Sequence, residues 1–312
     1  MKSIIGIPRG LLYYRYSVLW KTFFDVLEIP YIVSEKSNHE TLEKGKNLAI
    51  DETCLSLKIF LGQIEQLKDK CDILFIPRIY SLCKNEQVCT NFNALYDLVH
   101  TIFPNKKILN YNVNVERHHS EKKAFILLGK ELGFSYFEAN NAYHIAKEKE
   151  KLWLDKLAKN GTKKLRSTKR KVLLLGHTYN ILDSLVGGVV TRYLKDNDIE
   201  IIYANEIDRN IIDNEAKRIS KSVHWTMNKE LLGAFSYYKD KVDGTILVSA
   251  FPCGPDSLTN EMILRKKGNS KVLLLTFEEI NSDTAIITRL ESFIDMLKGG
   301  IHLWKEYWLF PN

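Results

Sequence analysis

The chain has 312 residues, 45% of them hydrophobic and 27% charged. That is the balance of an ordinary globular protein, long enough for two domains and able to bury a core without a disulfide or metal staple. Its longest apolar runs, such as residues 124–128 and 172–175, are far too short to span a bilayer, and no charged-then-apolar leader opens the sequence. Secretion and membrane insertion are therefore not expected, and a cytoplasmic protein is.

In chain order, residues 4–7 read as a short buried strand stopped by Pro8. Residues 13–28 then have helical periodicity, with Leu19, Phe23 and Leu27 on one face. A strand at 30–34, helices near 39–49 and 54–67, and a strand at 73–76 ended by Pro77 follow. A strand at 107–110 and a helix near 122–132 close this half. The second half repeats the alternation, with strands at 171–175, 200–203, 244–249 and 271–275. Its helices lie near 185–195, 228–239 and 284–298. Strands alternating with helices predict an α/β fold of two parallel sheets with an interdomain cleft, and ligands then sit beyond the carboxyl ends of the strands.

The formal net charge of +7 is concentrated between the halves. Residues 147–171 hold eleven Lys/Arg against three acids, so that stretch carries +8 and the remainder −1. Only Trp153 among them is aromatic, so the pattern is that of a solvated helix running into a linker, and no nucleic-acid partner is expected. The expected divisions are 1–145, a basic helix/linker at 146–170, and 171–312. The terminal aromatics Trp304, Tyr307, Trp308 and Phe310 are expected to cover core or an oligomer surface.

Five cysteines, Cys54, Cys71, Cys83, Cys89 and Cys253, make an odd number that argues against a disulfide framework. Cys54 stands at a helix start, Cys89 follows a strand, and Cys253 occupies a Pro-Cys-Gly-Pro turn. These three, with Cys83 as a further candidate, can approach the cleft, whereas Cys71 lies at the opposite end of a strand. Thiolates from separate loops suit an iron–sulfur cluster or zinc. They equally suit buried core positions, or one nucleophilic cysteine with His177 as its base. Residues 176–183 form a strand-to-helix junction that could hold an anion or simply be a tight turn capped by Asp183. They carry neither a dinucleotide fingerprint nor a Walker loop. Glu278, Glu279 and Arg289 could orient a ligand or form ion pairs.

The combined strings are similar to a known family. They are Gly6-Ile7-Pro8-Arg9 with Leu19-Trp20, Asp51-Glu52-Thr53-Cys54 with Lys58 and Gly62, and Phe75-Ile76-Pro77-Arg78 with Ser81 and Cys89. The second half adds Tyr179-Asn180, Trp225, the run from Phe251 to Ser257, and the run from Thr288 to Phe293. From Ile4 to about Leu297 the chain resembles the 2-hydroxyacyl-CoA dehydratase-related proteins of the activase-related group, without the ATPase modules that some relatives carry. Departures are Ser56 where Pro is usual, Gln63 for His, Thr90 for Pro, and Thr178 for Pro.

This resemblance implies two Rossmann-like (flavodoxin-like) parallel-sheet domains with an oxygen-sensitive [4Fe–4S] cluster between them, held by Cys54, Cys89 and Cys253. Three cysteine ligands leave one iron open to a substrate oxygen. His177, Tyr179, Asn180, Glu278 and Arg289 would surround a small-molecule substrate of acyl-CoA type. A separate ATP-dependent activase, itself an iron–sulfur ATPase, would supply a low-potential electron, and a second dehydratase-like subunit could complete the site. The expected role is thus a dehydratase (lyase) or reductase component. The alternatives are a double-cubane-type reductase and a non-catalytic iron–sulfur scaffold or electron-transfer subunit.

Overall fold

The protein's computed structural model describes residues 3–279 and 283–299. Its first half comprises β1 (Ile5–Ile7), α1 (Tyr13–Val26), β2 (Tyr31–Val33), α2 (His39–Lys46), α3 (Leu55–Leu67), β3 (Ile73–Ser81), α4 (Thr90–Ile102), β4 (Lys107–Asn114) and α5 (Glu121–Glu131). The helix α6 (Tyr136–Leu165) leads to the second half. That half comprises β5 (Lys171–Leu175), α7 (Thr178–Ile181), α8 (Gly187–Asp196), β6 (Glu200–Tyr203), α9 (Arg209–Lys217), α10 (Thr226–Tyr238), β7 (Gly244–Ala250), α11 (Gly254–Lys266), β8 (Val272–Phe277) and α12 (Thr284–Lys298).

Each half is built on a four-stranded sheet, all parallel, ordered β2-β1-β3-β4 and β6-β5-β7-β8. The chain winds outward from β1 in one direction, then returns to its other side. The same reversal occurs at β5. This is the flavodoxin-like order, and it opens a crevice at the carboxyl ends of β1 and β3, and of β5 and β7. The central strands are covered on both faces: β1 and β7 are buried throughout. Their near-continuous apolar runs are what a helix-covered parallel sheet requires. The first core packs Trp20, Phe24 and Phe75 edge to face, with ring centroids 5.0–5.4 Å apart.

Three features differ from the sequence expectation. Pro77 does not end its strand, because β3 continues to Ser81 beside β4. β1 is in register with only Ile73 and Leu74, so at Pro77 one side of β3 is free and a missing N–H is tolerated there. Cys253 sits not in an isolated turn but at the start of the thirteen-residue helix α11, where Pro255 occupies the first turn.

The third difference is the connection between the halves. The basic segment expected at 146–170 belongs to a thirty-residue helix that starts at Tyr136 behind a Ser135–Glu138 capping box. Its first turns bury Ala139, Ala142 and Ala146 on the first half, and its last turns reach β6. Nor is its charge wholly solvated. Lys164 Nζ lies 2.7 Å from the buried carboxylate of Glu206, which also accepts from Asn160 Nδ2 at 2.5 Å. Lys147 pairs with Glu121 and Glu150, each at 2.7 Å. Among the described residues no helix is long and apolar enough to cross a membrane. The terminal aromatics Trp304, Tyr307, Trp308 and Phe310 lie outside the described residues.

Candidate functional site

The crevices of the two sheets face each other, and a cavity of about 220 Å³ lies between them. Cys54, Cys89 and Cys253 all line it, with Ser56, Asn91, Tyr179, Asn180 and Asp256. Each of these cysteines is the residue immediately before a helix: Cys54 for α3, Cys89 for α4 and Cys253 for α11. Three thirteen-residue helices thus aim their amino termini at one space, where the unpaired N–H groups and the helix dipoles favour negative charge.

Burial pushes all three thiols up from their usual range. The amide N–H groups of Leu57, Asn91 and Asp256 oppose this at Cys54, Cys89 and Cys253 respectively. None of the three thiols closes a capping hydrogen bond of full geometry, so the opposition is partial. The three also disfavour one another's ionisation: Cys89 raises Cys54, and Cys54 and Cys89 both raise Cys253. That repulsion follows from three sulfurs lining one buried cavity.

Around them the wall is polar and largely fixed. His177 Nε2 lies 2.8 Å from Asp256 Oδ1, and its ring stacks on Tyr179 at 4.9 Å. Asp256 also accepts from Asn228 Nδ2 at 3.0 Å. His177 lines a small adjoining pocket of about 40 Å³ that shares Leu11 and Tyr179 with the cysteine cavity. Burial raises the Tyr179 phenol well above its ordinary value, and the charges of Asp256 and the three thiols add to that, so its Oη keeps its proton. Asn180 Oδ1 accepts from Ser56 Oγ at 2.7 Å across the interface. Asn91 Nδ2 stands 3.9 Å from Cys54 Sγ.

The structure therefore brings Cys54, Cys89, Cys253, Tyr179 and Asn180 to one cavity, with His177 behind it. It does not bring Glu278 or Arg289 there. Glu278 is exposed beyond β8, and the exposed Arg289 donates to the carbonyl of Leu274 at 2.7 Å. It is Glu279 that reaches the first half, pairing with Lys46 at 3.3 Å and with the buried Lys58. Cys83 is exposed, and Cys71 is buried against Gly6, so neither joins the three. Asp183 does cap the turn after α7, accepting from the Leu185 amide at 2.9 Å. It also takes hydrogen bonds from Tyr14 and Ser37 of the first half. Sequence reasoning missed Ser56, Asn91 and Asp256, although each lies within three residues of a cysteine it had selected.

Among the described residues, no group of three or more His, Cys, Asp or Glu is set to hold a single metal ion. A cubane cluster makes a different demand, since each thiolate binds a different iron and the sulfurs surround the cluster rather than meet at a point. Three cysteines spaced around a cavity, at three positive helix ends, fit that donor chemistry and the negative charge such a cluster carries.

Fold and site together define a two-domain parallel α/β protein with a three-thiol cavity at the domain junction. The chain belongs to the family described as CoA enzyme activase uncharacterised domain (DUF2229), which matches residues 4–207. It is an acyl-CoA dehydratase activase-related protein, and the family connects it to the CoA dehydratase system. The match includes Cys54, Cys89, His177, Tyr179 and Asn180 and ends before Cys253.

No curated protein matches the chain. Among solved structures, the SBP FpvC from Pseudomonas aeruginosa in complex with Mn2+ is similar at 12% identity and a TM-score of 0.31, covering 96% of this chain and 98% of that one. ZnuA is similar at 11% identity and a TM-score of 0.27, with 96% and 99% covered. The C-terminal domain of glucosamine-fructose-6-phosphate aminotransferase from Francisella tularensis gives 12% and 0.22, with 96% and 86% covered. At these scores the likenesses carry no functional argument.

Proposed function

We propose that the protein is an iron–sulfur component of the CoA dehydratase system, holding a [4Fe–4S] cluster on Cys54, Cys89 and Cys253. The observation that carries this reading is the convergence of three cysteines, each immediately before a helix and drawn from both halves, on one 220 Å³ cavity. When bound, such a cluster supplies low-potential one-electron chemistry and one iron without a protein thiolate. An ATP-dependent activase fits as the electron donor, and an acyl-CoA-type thioester fits as the small-molecule substrate. A cytoplasmic, anaerobic setting follows from that chemistry.

The chain's own residues then have definite tasks. The three thiols must lose their protons on binding, and the helix amino termini offset the cost of that charge. Tyr179 lines the cavity with its phenol protonated and can offer a hydrogen bond to an oxygen bound there. Asp256 fixes the His177 ring through Nε2, so His177 supports Tyr179 from behind and leaves contact with a ligand to it. The positions of Cys71 and Cys83 leave no thiol set for a second cluster among the described residues, which sets this reading above a double-cubane reductase.

The test is the visible spectrum of anaerobically reconstituted protein before and after dithionite. A broad thiolate-to-iron absorption that bleaches on reduction and returns on oxidation is expected. A colourless protein under strict anaerobiosis would contradict the proposal. If the cluster is present but acyl-CoA thioesters leave its spectrum unchanged, the protein is an electron-transfer or scaffold subunit.

A further inference from the structure

A second cavity, of about 280 Å³, begins where the cysteine cavity ends along α7. Tyr179 and Asn180 line the first, and Ile181, Leu182 and Asp183 line the second. Three cations drawn from both halves line this second cavity: Arg9, two residues beyond β1, Lys36, three beyond β2, and Arg192 of α8. Arg9 and Lys36 thus stand at carboxyl ends of the first sheet, where parallel α/β folds take their ligands. The junction at 176–183, which the sequence marks as able to hold an anion, supplies part of the opposite wall.

These charges are not spent within the protein. Among the described residues neither Arg9 nor Lys36 has a carboxylate at ion-pair distance, and Arg192 has only Asp283, at 3.9 Å. Arg9 gives Nε to the carbonyl of Ser34 at 2.9 Å, which leaves its two terminal nitrogens without a hydrogen-bond partner among the described residues. Asp183 is the one acid in the wall. It is 1% exposed, and its oxygens already accept from Tyr14, Ser37 and the amides of Leu185 and Val186. The α8 end of the cavity is positive as well, since that helix has neither a side-chain cap nor an acid in its first turn. A Cβ added at Gly188 would stand 3.9 Å from Arg192 Nη1, so bare backbone and guanidinium share one wall. A cleft lined by one sign of charge concentrates its field on a counter-ion.

We infer that this cavity binds a phosphate-bearing ligand through its phosphate oxygens, with Arg9 and Lys36 holding it from the first half and Arg192 from the second. Guanidinium forks take two phosphate oxygens at once, and the lysine adds a mobile point charge. The site needs no iron, so the inference stands apart from the cluster reading. A CoA thioester and a free nucleotide are the two sources of such a group, and both present a diphosphate.

The test titrates the full chain, in phosphate-free buffer, with pyrophosphate, CoA and ADP in a calorimeter. The unsubstituted protein is compared with Lys36→Gln, Arg192→Gln, the double variant and Lys195→Gln. Lys36, Arg192 and Lys195 are all exposed, and Lys195 lies on α8 outside the cavity. Iron per chain is measured on the same samples, so failure of this site and failure of the cluster are read separately. Saturable binding is expected, weakening as salt is added and falling roughly tenfold with each cavity substitution. Lys195→Gln should bind as the unsubstituted chain does. Tighter binding of CoA than of ADP and pyrophosphate supports the inference with the thioester as source, and tighter binding of ADP supports it with a nucleotide as source. Binding of none of the three, or equal affinity in the double variant and the unsubstituted chain, overturns it.

Discussion

The amide N–H of Leu55 donates to the carbonyl of Phe251 at 2.9 Å, joining the residue after Cys54 to the residue two before Cys253. Two cysteine-bearing segments from different sheets are therefore tied backbone to backbone. Nearby, Gln87 and Trp225 form an isolated parallel bridge two residues from Cys89. Arg15 and Glu230 make a two-pronged ion pair across the same interface, at 2.5 and 2.8 Å. The three thiols thus owe their proximity to contacts the protein makes by itself.

This arrangement predicts how cluster removal behaves. Cluster binding contributes stability only to the docked state, so the loaded protein should melt at a higher temperature than the chelated one. The small-angle scattering profile should nevertheless be the same for both. An expanded profile after chelation would show that the cluster, rather than these contacts, closes the cleft.

The position of Cys54 depends on how α2 and α3 meet. A Cβ added at Gly62 would lie 1.8 Å from the carbonyl oxygen of Thr41, so the two helix backbones touch there and leave no space for a methyl group. Gly62→Ala should destabilise the fold by at least the roughly 1–3 kcal/mol of an overpacked core. It should also lower iron retention by displacing the helix that Cys54 precedes. Denaturant unfolding and iron content, measured on the same preparation, check both parts.

Much of the sheet framework was legible because parallel strands buried on both faces appear as short apolar runs, and residues 171–175 and 200–203 match β5 and β6 to the residue. Helices α4 and α11 were not legible. Their starts carry Cys and Pro-Cys-Gly-Pro in place of the Ser, Thr or Asp that ordinarily marks a helix cap. The site was half visible for a related reason. Chain order after a strand points Tyr179 and Asn180 correctly to the crevice, but it says nothing about side-chain direction. Glu278 and Arg289 accordingly face elsewhere, whereas Glu279, one residue on, crosses to Lys58.

The basic helix provides a graded prediction. Glu206 keeps only 5% of its side chain exposed, and it accepts from Lys164, Asn160 and the Tyr203 amide. Lys164→Glu would leave that carboxylate unpaired beside a second negative charge, at a cost of about 3–5 kcal/mol. Lys163→Glu, one position away and without a carboxylate partner among the described residues, should stay within about 0.5 kcal/mol. Equal effects in thermal or denaturant melts would contradict the assignment of α6 as a packed strap.

Acid should act first through the interface. Burial pushes the Glu230 carboxyl up, but the Arg15 and Arg209 charges and the Arg15 hydrogen bonds outweigh it and bring the group down to about 2. A carboxyl depressed in the folded state contributes stability that is complete above its unfolded value near 4.5 and is lost as pH falls from there towards 2. Glu230→Gln should flatten that part of the stability profile. Its cost at neutral pH should sit near 3 kcal/mol, because the side chain is still 23% exposed. A denaturation series between pH 5 and pH 2 on both proteins measures the difference.

The central claim is that Cys54, Cys89 and Cys253 hold one cluster, and iron content across cysteine variants tests it most directly. Each cysteine is replaced by Ala, and iron and acid-labile sulfide are measured per chain after strictly anaerobic reconstitution. Variants at Cys54, Cys89 and Cys253 should lose most of the iron, while Cys71→Ala and Cys83→Ala should keep the unsubstituted content. Full iron in Cys253→Ala, or equal loss in all five variants, would contradict it.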